Sequence, residues 1–258
     1  MILDDIIEKV KERYKDLKDN LDDIKEKASR RTILNPNFFY NSINKEGMNF
    51  ICEIKKASPS KGIISEDFPY LSIAKEYNNI ADAISVLTEP YFFKGSNEIL
   101  SQVKSVVNVP ILRKDFIIYP YQIYEAKFIG ADAILLICAI LNDKELKEYY
   151  DLAKELGLGV LVEAHDEVEV QRALNIGAKV IGVNNRNLKD FTVDTKNSIN
   201  LRNKAPKNIT FVSESGIKTR EDIKKLLDND IHVVLIGETL MRAKDKVQII
   251  KELKYDKD

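Results

Sequence analysis

The chain has 258 residues, 40 basic against 41 acidic, and a formal charge of −1. That length suits a core burying roughly three-quarters of the unfolded surface, and the balanced charge argues against nucleic-acid or membrane-surface partners. The two cysteines, Cys52 and Cys138, are far apart in apolar runs and indicate neither a disulfide framework nor a metal cluster; the charged N-terminus is no secretory signal and no apolar run reaches membrane length, so a cytoplasmic protein is expected.

The first segment spaces Leu3, Ile7, Val10, Tyr14, Leu17, Leu21 and Ile24 by alternating fours and threes. One apolar stripe on one helix follows, docked on the main body, with the pattern ending near Ser29. From Phe50 onward, short β-branched runs alternate with helical patterns. The predicted strands are Phe50–Lys55, Ala83–Leu87, Val109–Lys114, Ala133–Ile137, Gly159–Glu163, Val180–Asn184, Thr210–Glu214 and Val233–Gly237. Between them, Asn142 with Glu145 and Asp166 with Glu169 have capping-box spacing. Gly130, Gly157 and Gly177 fall where a helix ends just before the next strand.

Eight alternating βα units predict an α/β fold, a (β/α)8 TIM barrel with an extra N-terminal helical segment. The expected organisation is a single domain over residues 1–258, with 1–48 as the extension and 49–258 as the barrel; no linker-like stretch interrupts it. An open doubly wound sheet is the competitor, but it usually binds nucleotide through G-x-G-x-x-G, which does not occur here.

In such a barrel, function collects where the strands finish. Alternation along strand one puts Ile51, Glu53 and Lys55 on one face, and burying either charge alone would be costly. Strand three finishes in Lys114-Asp115, strand five in Glu163, and strand six in Asn184 and Arg186. Strand seven finishes in Glu214-Ser215-Gly216 and strand eight in Gly237-Glu238. Lysines interleaved with glutamates at one mouth are the composition of proton-transfer chemistry, in which some carboxylates stay ionised and others carry protons. The glycines after strands seven and eight stand where this fold commonly binds phosphate.

These residues resemble the indole-3-glycerol-phosphate synthase family of tryptophan biosynthesis, from about Asn49 to Ala243. The resemblance rests on "EIKKASPSKG", "SVLTEPYFFKGS", "PILRKDFIIYPYQIYEA", "GADAILLI", "LVEAHD", "GVNNRNL", "SESGI" and "IGETLMRA". "EIKKASPSKG" and "ILRKDF" are its most specific parts, whereas a glycine-rich phosphate site is shared by several barrels. It implies one phosphorylated small-molecule substrate, 1-(2-carboxyphenylamino)-1-deoxyribulose 5-phosphate, no metal and no organic cofactor; a monomer or weak homodimer is expected, the exposed helix faces showing no clear patch that would decide between them.

Carried over residue by residue, Lys114 resembles the general acid of ring closure and Glu163 the general base of the later steps. Lys55 is similar to the lysine that holds the anthranilate carboxylate, and Glu53 and Asn184 look like hydroxyl and intermediate binders. Ser58, Arg186 and Glu214 resemble further substrate contacts. Phe93, Phe116 and Leu135 match an apolar wall for the aryl ring, a surface that ordinary core would also supply. Ser215, Gly216, Gly237 and Glu238 correspond to the phosphate site, Glu238 through its backbone N–H alone. With no tryptophan in the chain, any aromatic lid contact from the N-terminal helix comes from Tyr14 or is absent. The loop "SPSKGIISEDFPY" is expected to close over substrate. His165 is expected to point away from Glu163 as a helix-start histidine, and His232 to be structural at the far end of the barrel.

Two other readings remain. Phosphoribosylanthranilate isomerase, a neighbouring barrel, would need Cys52 as a base, although alternation turns Cys52 toward the helices. A non-catalytic scaffold would have no use for the charged pocket.

Overall fold

The computed structural model describes residues 2–187 and 191–254. Leu188, the last residue of "GVNNRNL", lies outside them.

Eight parallel strands close into a barrel in sequence order: β1 (Asn49–Ile54), β2 (Ala83–Leu87), β3 (Ile111–Lys114), β4 (Ala133–Ile137), β5 (Gly159–Ala164), β6 (Val180–Asn184), β7 (Thr210–Glu214) and β8 (Val233–Ile236), with β8 pairing back onto β1. This is the predicted TIM barrel. Its strands are buried on both faces, as parallel strands covered by helices must be. One parity, including Ile51, Leu112, Leu135, Leu161, Val212 and Leu235, fills the barrel interior. The other, including Phe50, Cys52, Ile54, Val86, Leu136 and Val162, packs under the surrounding helices. Full burial of each such side chain contributes on the order of 1.5–3 kcal/mol.

Four predicted strands have the observed bounds and four shift at an end. Val109 and Pro110 precede β3, β1 runs from Asn49 to Ile54, and β5 continues to Ala164. Gly237 leaves β8 to begin the short helix Glu238–Arg242. The capping box of Asn142 and Glu145 forms, and Gly130, Gly157 and Gly177 take φ of 108°, 79° and 84°, the left-handed turn that ends a helix.

The single N-terminal helix does not hold. Helices α1 (Ile2–Arg13) and α2 (Leu21–Ser29) are separated by turns. Ile6 and Val10 are buried from the first, Tyr14 just after it, and Ile24 and Ala28 from the second, while Leu17 is exposed. The break follows Tyr14, whose hydroxyl donates to Glu125 Oε2 at 2.6 Å and accepts from Arg113 Nη2 at 3.1 Å. Anchoring that side chain in a buried charged network fixes the chain direction against the stripe's continuation.

Candidate active site

The strand register brings the charged strand ends level. Glu53 pairs with Ser85, Leu87 with Lys114, Ile137 with Glu163, Glu163 with Gly182, and Asn184 with Glu214. They surround a cavity of about 830 Å³ at the carboxyl end of the barrel, and every site residue named from the sequence lines it.

Lys114 stands at the centre. Its Nζ is 2.5 Å from Glu214 Oε2 and 3.7 Å from Glu163 Oε2. Burial alone would lower this ammonium's pKa, but Glu214, Glu163 and Glu53 outweigh it and hold the lysine well above its usual range. Glu53 pairs with Lys55. Desolvation would raise its carboxyl, yet Lys55 and Lys114 hold it below the ordinary value. Glu214 goes the other way. Burial pushes it up, only partly offset by Lys114, to about 7, and Glu163 adds to the rise. Its Oε1 has no hydrogen-bond partner among the described residues. The cavity therefore holds a fully charged ammonium, a firmly ionised Glu53 and a Glu214 that titrates near neutrality.

Two glycines make room for these carboxylates. A methyl group on Gly182 would collide with the Glu214 carboxylate, and one on Gly237 with that of Glu53. Gly182→Ala is expected to cost about 1–3 kcal/mol of stability from overpacking and to lower turnover about a hundredfold by displacing Glu214 and, with it, Lys114. Denaturant titration and steady-state kinetics check the two effects.

The turn after β7 is held in an unusual shape. Ser215 and Gly216 have φ of +69° and +86°. Asn185 Nδ2 donates to Ser215 O at 3.0 Å, and Ser215 Oγ donates to Asn184 Oδ1 at 3.0 Å. A Cβ on Gly216 would also crowd Val193 and Thr195. Thr239 Oγ1 donates to Ile217 O at 3.0 Å and ties this turn to the Gly237–Glu238 corner. The Glu238 carboxylate faces Arg186 at 3.9 Å and Arg242 at 3.2 Å, so its charge is offset by both.

Opposite, Phe93 and Phe116 lie with ring centroids 6.0 Å apart, and Leu135 belongs both to the cavity wall and to the barrel core. Among the described residues no cluster of three or more His, Cys, Asp or Glu is placed to hold a metal ion, and no helix is long and apolar enough to cross a membrane.

Residues 2–253 match the family model described as indole-3-glycerol phosphate synthase. The chain belongs to the indole-3-glycerol phosphate synthase family. The synthase of Ruminiclostridium cellulolyticum is 55% identical over 248 residues, covering 95% of each chain. That of Endomicrobium trichonymphae is 53% identical over 259 residues, covering 98% of this chain and 100% of the other. A tryptophan synthase alpha-subunit from Pyrococcus furiosus shares the fold at a TM-score of 0.61 and 14% identity, covering 80% of this chain and 98% of that one. Indole-3-glycerol phosphate synthases are carboxy-lyases of tryptophan biosynthesis.

One expectation changes. His165 does not point away from Glu163: its Nε2 lies 3.4 Å from Glu163 Oε1. Residues two apart on a strand share a face, and β5 runs straight through Ala164 toward it. Tyr14 is fully buried and forms no lid; Ile2, Leu3 and Ile6 of α1 reach the cavity instead. The long loop after β1 folds as a small hairpin, Ala57–Ser58 against Gly62–Ile63, with Ser58, Pro59, Ser60 and Lys61 at the mouth.

Cys52 packs under the helices, and burial pushes its thiol far up, which removes the base an isomerase would need. Two residues that shape the cavity carry no strong sequence signal. Arg242 braces Glu238. Buried Glu89 accepts from the backbone N–H groups of Tyr91, Phe92 and Phe93 at 2.8, 2.7 and 2.9 Å, and so positions the aromatic wall. A glutamate just past β2 was the available signal.

Proposed function

We propose that this cavity converts 1-(2-carboxyphenylamino)-1-deoxyribulose 5-phosphate to indole-3-glycerol phosphate, carbon dioxide and water, with Lys114 as general acid and Glu163 as general base. The observation that carries this reading is the buried Lys114 ammonium bracketed by Glu214 and Glu163.

The phosphate end of the substrate sits on the backbone N–H groups of Ser215, Gly216, Gly237 and Glu238, where a left-handed turn presents them and Arg186 and Arg242 face the Glu238 carboxylate. The aryl ring lies against Phe93, Phe116 and Leu135. Lys55, oriented by Glu53, holds the carboxylate on that ring. Binding at both ends carries the ketone to Lys114. As the ring carbon bearing the carboxylate attacks the ketone carbon, negative charge grows on the ketone oxygen, and the ammonium supplies both a proton and positive charge there. Its raised pKa keeps the charge present throughout the neutral range.

Loss of carbon dioxide returns the bonding electrons to the aryl ring. In dehydration, Glu163 takes the proton from the carbon next to nitrogen while the hydroxyl leaves as water with a proton from Lys55. Glu53 and Asn184 bind the hydroxyl groups and the cyclised intermediate, Arg186 and Ser58 close the near side, and Glu214 is a further substrate contact beside Lys114. Purified protein given this substrate should generate indole fluorescence together with one carbon dioxide per product. Well-folded protein that forms neither would reject the proposal.

A further inference from the structure

His165 is the cavity neighbour that the scheme above leaves without work. Its ring lies between two carboxylates: Nδ1 is 3.2 Å from Glu169 Oε2, and Nε2 is 3.4 Å from Glu163 Oε1. The Glu169 contact is reinforced, because the His165 backbone N–H donates to the same oxygen at 2.7 Å. Glu169 stands three residues after the helix cap Asp166, where its carboxylate would ordinarily close a capping box. Asp166 Oδ1 does accept from Glu169 N at 2.8 Å, but the carboxylate turns back to His165 instead. The buried Nε2 has no aligned hydrogen-bond partner among the described residues, and Glu163 is the carboxylate beside it. The two oxygens of Glu163 are thus divided: Oε2 faces Lys114 at 3.7 Å, and Oε1 faces His165.

We propose that His165 is a positioning residue for Glu163: anchored by Glu169 through Nδ1, it holds Oε1 of Glu163 through Nε2–H and so presents Oε2 to the reacting carbon. The inference rests on the assignment of Glu163 as the base. A carboxylate free to rotate about its last bond would offer either oxygen at variable angles, and a base must meet its proton at hydrogen-bond distance.

The surroundings favour the protonated ring. Burial would lower the His165 pKa, but the hydrogen bond to Glu169 and the charges of Glu163, Glu169 and Glu214 raise it to about 9. Of the other groups packed nearby, Asn197 of the helix after β6, Lys196–Arg202, donates to the His165 carbonyl at 3.2 Å. Glu167 turns away to Lys204 at 3.1 Å, and Arg172 is taken by Asp143 and the Cys138 carbonyl.

The test uses two variants that keep different halves of the ring's function. Glutamine at position 165 can reach as far as Nε2 and donate to Glu163. Asparagine reaches only as far as Nδ1 and keeps the Glu169 contact. Positioning through Nε2 makes His165→Gln the more active, with kcat within about threefold of the parent, and His165→Asn slower by about ten- to a hundredfold at nearly unchanged KM. A role confined to fastening the strand–helix junction through Glu169 gives the reverse order and overturns the proposal.

A second measurement needs no turnover. The chain has two histidines, so the His165 ring is identified in NMR titrations by its absence from His165→Gln. Its midpoint should fall by roughly one unit in Glu163→Gln; an unmoved midpoint counts against the pairing. The parent's kcat should also decline as pH rises through about 9, because a raised imidazole is charged below that value and neutral above it. This limb should vanish in His165→Gln, and its persistence there would assign it elsewhere. An inactive parent protein would instead remove the functional reading while leaving the titration result standing.

Discussion

Replacing Lys114 by methionine is expected to lower turnover by about 10²- to 10⁴-fold while the barrel remains folded. Methionine keeps the length and apolar stem of the side chain but removes the proton and the positive charge from the point where the alkoxide develops. The three carboxylates around it, Glu214, Glu163 and Glu53, lose their shared partner. They are not left charged and unpaired, because the cavity opens to solvent and Glu214 already titrates at about 7; it takes up a proton instead. Arginine at the same position should not restore the rate. Its planar fork is larger and would meet the carboxylates in different geometry. Steady-state kinetics with circular dichroism check the expectation, and a Lys114→Met rate within tenfold of the parent would remove Lys114 from the role of general acid.

The second large effect concerns the neighbouring residue. Arg113 faces outward from the same strand and is fully buried. It donates to Glu125 Oε2 at 2.7 Å, Gln122 O at 2.8 Å, and Thr88 Oγ1, Asp115 Oδ2, Tyr14 OH and Asn97 Oδ1, each at 3.1 Å. Arg13 of α1 reaches Asp115 at 3.3 Å. Arg113→Met should cost about 3–5 kcal/mol of stability, because it leaves buried carboxylates without their main counter-charge. The pH dependence has a definite sign. Burial would raise Asp115, but Arg113 and Arg13 hold it below its usual value. In the parent, its stabilising contribution is present at neutral pH and is lost as pH falls through that lowered value. Without Arg113 the carboxyl rises, so protonation relieves the variant as pH falls, and the deficit should narrow on acidification. Urea titrations at neutral and acidic pH measure both quantities. A deficit under about 1 kcal/mol, or one that widens in acid, would show that the network contributes little.

The barrel was legible because its signals are local: β-branched runs of strand length, capping residues such as Asn142 with Glu145, and C′ glycines such as Gly177 each specify structure within a few residues. The charged strand ends were legible for the same reason, since alternation fixes the side to which Glu53 and Lys55 turn. Most of what escaped depends on contacts distant in sequence. The stripe from Leu3 to Ile24 has helical spacing throughout, and only the docking of Tyr14 against Arg113 and Glu125 breaks it. Glu89 reads as one more acidic residue until its carboxylate is found under three backbone N–H groups. Arg113 was overlooked beside Lys114, although opposite strand parity sends the two side chains to different jobs. His165 had the parity to share Glu163's side, and the strand's continuation past Glu163 decided it.

The central claim is that Lys55, Lys114 and Glu163 act together on one bound phosphorylated aryl sugar. A crystal structure with indole-3-glycerol phosphate tests it most directly. The account expects the phosphate on the backbone of Ser215–Gly216 and Gly237–Glu238, the indole ring against Phe93 and Phe116, and the Lys114 and Glu163 side chains within hydrogen-bond reach of the new ring. Product bound outside this mouth, or seated with its ring away from Lys114 and Glu163, would contradict it.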